Sequence, residues 1–164
     1  MTLRWNAPAL FLLATLPVFG QAEPSVNKFT PAANPFGRRM VTEQFTLVED
    51  LKQLDPEVLA VFHTKVQPAY IANHGEPFNP TDVVTGNLPA RRFILAGRAP
   101  GMWFIFYEHG GIAYHQNLIV FSKEGDSQIA AAVQGNIKGE VTFEALKHAI
   151  QNGRFYSLSG RPDF

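Results

Sequence analysis

Cysteine is absent from all 164 residues. That excludes disulfides, thiolate catalysis, cysteine-ligated zinc and iron–sulfur clusters. It also excludes a lipid anchor of the bacterial lipoprotein kind, whose acceptor is a cysteine. An excess of one charge is missing as well: 14 basic residues stand against 14 acidic ones. Nucleic-acid binding needs Lys and Arg in excess on one face, so no nucleic-acid partner is implied. Catalytic signatures are lacking too. There is no G-x-S-x-G elbow, no H-E-x-x-H pair and no phosphate-cradling glycine loop followed by lysine. Ser25-Val26-Asn27-Lys28 has Ser-x-x-Lys spacing but no partner motif downstream, and it reads as coincidence.

What the chain does carry is a leader. Arg4 is the only charge in residues 1–22, Ala7 to Phe19 is almost wholly apolar, and Gly20 and Ala22 occupy the two positions a signal peptidase reads. A membrane span takes about 20 apolar residues; this run is shorter and is interrupted by Pro8 and Pro17. The pattern predicts a cleaved signal peptide over residues 1–22 and an address in the periplasm or outside the cell. No later run is long and apolar enough to span a membrane. Cleavage leaves 142 of the 164 residues, and losing Arg4 takes the formal charge from 0 to −1. That length suits one domain with its own core. Asn79 is followed by Pro80, so the remaining chain has no N-x-Ser/Thr acceptor. With no disulfides either, a bacterial periplasm is the better fit.

Residues 23–40 read as an extended, proline-rich leader built around Pro24, Pro31 and Pro35. A single α+β domain is expected over residues 41–164. Thr46 with Glu49 suggests a capping box opening a helix along Leu47, Val48, Leu51 and Leu54. Asp55-Pro56 restarts a helix whose stripe is Val58, Leu59, Phe62 and Val66. His74 to Pro89 is loop-like. From Arg91 the period becomes two, giving four strand candidates at Arg91–Gly97, Met102–Glu108, Ile112–Phe121 and Gln128–Gln134. Short turns between them imply a four-stranded antiparallel meander. Thr142 caps a C-terminal helix with Phe143, Leu146, Ala149 and Ile150 inward, and Gly153 ends it. The tail adds a short edge strand around Tyr156 or stays outside the sheet. N-terminal helices and one C-terminal helix then pack on the meander.

One element gathers chemistry. A tight turn at Gly110-Gly111 would pair Glu108 with Ala113, Tyr107 with Tyr114, Phe106 with His115 and Trp103 with Leu118. It places Trp103, Ile105, Tyr107, Tyr114, Gln116 and Leu118 on one face, and Met102, Phe104, Phe106, His115, Asn117 and Ile119 on the other. Both faces are apolar away from the turn, as expected of a hairpin covered on both sides. At the turn end Tyr107, Glu108, His109, Tyr114 and His115 rim a candidate ligand- or partner-binding surface. In this register His109 and His115 point to opposite faces, so no metal site is expected and no cofactor is implied. Arg91, Arg92 and Arg98 read as solvated strand ends, with an anion pocket as the alternative, His63 as a core-edge histidine, and His74 and His148 as solvent-facing.

The sequence thus favours a small exported binding module over an enzyme: an inhibitor, accessory subunit or ligand-capturing protein using an aromatic hairpin surface. Its partner would be a protein, peptide or small ligand of the cell envelope. The alternative is a motif-free periplasmic hydrolase with Glu108 and His109 or His115 as acid and base. A third reading is a homodimer in which a second copy covers the hairpin face.

Overall fold

The computed structural model describes residues 28–66, 70–83 and 86–158. The expected signal peptide over 1–22 lies outside the described residues. The first described element corrects the proline-rich reading of 23–40. Pro35–Thr42 forms helix α1. Asn34 accepts from the Phe36 and Gly37 amides at 2.8 and 3.2 Å through Oδ1, and Pro35 sits in the first turn, where its missing N–H loses nothing. Asparagine before proline was a helix start rather than a loop signal.

Thr46–Val48 is strand β1, not the opening of a helix. Leu47 is 43% exposed, so the apolar spacing that suggested a buried helical stripe is not a stripe. Asp50 instead caps a 3₁₀ turn at Leu51–Gln53, accepting from the Lys52 amide at 2.9 Å. Helix α2 spans Pro56–Lys65, with the Asp55 carboxylate accepting from the Glu57 and Val58 amides. Lys123 reaches both Asp55 and Glu57, tying this cap to the sheet.

Strands β2 (Arg91–Ala99), β3 (Met102–His109), β4 (His115–Ser122) and β5 (Gln128–Gly135) follow the expected meander. Helix α3, Phe143–Gln151, starts where Thr142 Oγ1 accepts from the Ala145 amide at 3.1 Å. Strand β6, Phe155–Ser157, then pairs with β5. The class is α+β, as expected, but the antiparallel sheet has six strands in sequential order rather than four. Of the two additions, β6 is the short edge strand offered around Tyr156, and β1 is a three-residue strand too short to show a period of two. Beyond the end of β1, Ala72 continues the outer edge of β2: its amide donates to Arg91 O, and its carbonyl accepts from the Phe93 amide, both at 2.9 Å.

Helices cover both faces. On one, α1 and α3 pack against Phe104, Phe106, Leu118, Val120 and Phe155. On the other, α2 packs against Trp103, Ile105, Tyr107, Ile119 and Phe121. Each fully buried aromatic or branched side chain contributes about 1.5–3 kcal/mol relative to exposure. Along β3, every residue from Met102 to Glu108 is buried, which accounts for its unbroken apolar run. Among the described residues, no helix is long and apolar enough to cross a membrane.

Candidate functional site

Strands β3 and β4 are joined by five residues, Gly110 to Tyr114, not by two glycines. The closing pair is His109 opposite His115, and behind it stand Glu108–Gln116, Tyr107–Asn117, Phe106–Leu118 and Trp103–Phe121. The physical reason lies in Gly110. Its amide donates to Ala90 O at 2.8 Å, and a Cβ there would come within 2.0 Å of Asn79 O. Gly110 is therefore a point of close backbone approach, and the chain turns later, through Gly111 at φ 117°. The shift from the tight-turn register is an odd number of residues, so it exchanges the two faces of β4. Leu118 joins Phe104 and Phe106, while Ile119 joins Trp103 and Ile105.

This register divides the five candidate residues between two faces. On the α3 side, the Glu108 carboxylate accepts from Arg92 Nε at 2.6 Å and from the Tyr114 hydroxyl at 2.6 Å. Arg92 stands directly across the ladder from Glu108, and its guanidinium lies 4.3 Å from the centre of the Phe78 ring. Burial first, and then the Glu108 carboxylate, push the Tyr114 phenol up to about 12. Arg92 and Glu108 line a cleft of about 380 Å³ together with His74, Ile94, Glu140 and Val141. His74 is exposed, as expected, and its Nδ1 is 2.7 Å from Ile94 O.

On the α2 side stand Tyr107, His109 and His115. The two imidazoles meet edge to face with centroids 5.0 Å apart, against the expectation that they diverge. Arg91 lies across the ladder from His109 and is only 3% exposed. Burial, then the positive charges of Arg91 and His115, lower His109 to about 4. Tyr107 packs its ring against Phe62, and burial raises its phenol well above the ordinary range, opposed in part by Arg91. Asn117, opposite Tyr107, is 1% exposed with neither side-chain polar atom hydrogen-bonded.

The reading of Arg91 and Arg92 as solvated strand ends is thus corrected. Adjacent residues of one strand face opposite ways, so each face of the hairpin receives one arginine. Asn117 was missed as a site residue, and both arginines were set aside in favour of solvated strand ends. The available signal was the pair of charges at the start of a strand that is otherwise buried. Glu108 is not brought together with His109 or His115, because the sheet separates them. Among the described residues, no three His, Asp or Glu side chains converge as metal ligands. His109 and His115 alone supply two ring nitrogens, short of the four ligands of a closed zinc site. No family model matches the chain, and no curated protein or solved structure matches it either.

Proposed function

We propose that the protein is an exported binding module that engages a protein or peptide partner of the cell envelope through the tip of the β3–β4 hairpin. The supporting observation is Ile112, a large apolar side chain left 95% exposed at that tip. Exposed apolar anchors on a fixed support are what a partner's pocket recognises. The support here is firm. Tyr114, 41% exposed, is latched to the Glu108 carboxylate, and Gly110 is seated on the Asn79–Pro80 backbone. Asn79 in turn donates through Nδ2 to Val83 O at 2.9 Å, and Val83 and Leu88 on the same flanking loop also expose apolar side chains. A tip held in one conformation loses little entropy on binding. The leader at residues 1–22 supports the cell-envelope address, through its single Arg4 and apolar run.

The test is affinity capture from a cell-envelope extract with the wild type and with Ile112→Asp in parallel. A partner retained by the wild type and lost by the variant upholds the reading. Equal retention by both would overturn it.

A further inference from the structure

The α2 side of the sheet holds a second cleft, of about 490 Å³, which the hairpin tip does not form. Its lining includes His115 of β4, Gln134 at the end of β5, Asn136 and Lys138 just beyond it, and Arg154 and Tyr156 around the start of β6. The register explains why these meet. Asn117, Gln134 and Tyr156 form one continuous cross-strand row, so their side chains share a face. The next row towards the hairpin end carries Arg91, His109 and His115. Helix α2 covers the apolar part of this face, around Ile105, Ile119 and Phe121, and the polar remainder makes the cleft.

The charge of the lining is one-sided. Lys138 and Arg154 are exposed cations, His115 is half-buried, and no described lining residue is acidic. Glu140, the nearest acid in sequence, lines the other cleft instead. Gln134, Asn136 and Tyr156 add amide and hydroxyl donors. His115 Nδ1 lies 2.6 Å from Ala113 O, and a carbonyl only accepts, so Nδ1 bears the hydrogen. Beside Gln134, the buried Asn117 amide has no hydrogen-bond partner, which extends the polar character of this face beneath the cleft.

We propose that this cleft is a binding site for a small molecule bearing an anionic oxygen group, a phosphate or a carboxylate. Lys138 and Arg154 would supply charge and forked hydrogen bonds, and His115, Gln134 and Asn136 would fix orientation. The inference is independent of the partner-binding tip.

It is tested on the purified protein with inorganic phosphate and with citrate as separate probes, at ionic strength held constant with sodium chloride. Calorimetry gives the affinity, and amide NMR shifts give the location. The expected result is saturable binding of at least one probe, with shifts concentrated at His115, Asn136, Lys138 and Arg154. Lys138→Glu and Arg154→Ala should each weaken it about tenfold or more, the loss expected for a hydrogen bond to a charged group. Both side chains are exposed, and the remaining spectrum reports whether each variant is folded. Phosphate binding alone would indicate a phosphorylated ligand and citrate alone a carboxylate; either upholds the site. No saturable binding, shifts spread over unrelated basic residues such as Arg38 and Lys52, or unchanged affinity in Lys138→Glu would overturn it. Ile112→Asp should leave anion binding intact, so loss of the partner and loss of the anion report on separate surfaces.

Discussion

The Tyr114 hydroxyl donates to Glu108 Oε2 across 2.6 Å, while Arg92 Nε donates to the other oxygen of the same carboxylate. A nearly buried carboxylate therefore ties the hairpin loop to the neighbouring strand. Removing the loop's half of this link, by Tyr114→Phe, should lower unfolding free energy by about 1–2 kcal/mol, as for a hydrogen bond to a charged group at a part-exposed site. Urea unfolding measures it. A change within error would mean that the loop is held by Gly110 alone.

Alkaline titration reads the same link. Tyr114 is raised to about 12 from an ordinary 10.0. Between those values the unfolded chain has released a phenolic proton that the folded chain retains. Stability is fully present below pH 10 and falls as pH rises towards 12. Tyr107 is shifted in the same direction and adds to the fall. In Glu108→Gln, ultraviolet titration should find Tyr114 ionising at lower pH yet still above 10, because burial is its larger cause.

His109 acts at the other end of the scale. Its folded-state value is lowered to about 4 from 6.5 by burial and by Arg91 and His115. In that window the unfolded chain binds a proton that the folded chain refuses. Its contribution to stability is thus complete above pH 6.5 and is lost as pH falls towards 4. Urea unfolding at pH 7.0 and 4.5 should show a smaller difference in His109→Gln than in the wild type. An identical difference would place the acid sensitivity elsewhere.

Gly110→Ala sets a Cβ within 2.0 Å of Asn79 O and 2.7 Å of Pro80 Cα. Backbone, not a flexible side-chain end, must give way, so a loss of about 1–3 kcal/mol is expected. Ile112→Ser, at a fully exposed position two residues on, should stay within about 0.5 kcal/mol of the wild type. Thermal unfolding of both variants separates a packing constraint from mere proximity to the loop.

Asn117 is buried with its amide unpaired, a situation that costs about 1–3 kcal/mol. Asn117→Leu keeps the branched heavy-atom shape and removes the polar atoms, so its melting temperature should match or exceed that of the wild type. A clear destabilisation would reveal that the amide has a partner after all.

Much of the fold was legible because its signals were local. Asp55-Pro56 and Thr142 announced two helices through cap chemistry, and apolar runs separated by short glycine-containing turns from Arg91 onward marked four strands. What escaped depended on distant parts of the chain. Strand β1 exists because Thr46 to Val48 meets Ala96 to Arg98, and three residues carry no periodicity of their own. The candidate site shows the same limit more sharply. Its five residues lie along one hairpin, as their spacing implied. Their division between faces hung on the length of one loop, and that was decided by contact between Gly110 and the Asn79–Pro80 segment. A glycine pair reads as a tight turn when the backbone it must accommodate lies 30 residues upstream.

The sequential order of the six strands has a kinetic meaning. Each ladder joins segments that are successive strands of the chain, and between β2 and β5 they meet through only a few connecting residues. The central sheet can consequently assemble by closing short loops one after another, without first bringing remote segments together, which is the slow step for many β-rich chains. The exceptions are β1 and β6, whose partners lie across long excursions containing α2 and α3. Such a topology lets these outer strands and their helices dock onto a central sheet that has already zipped.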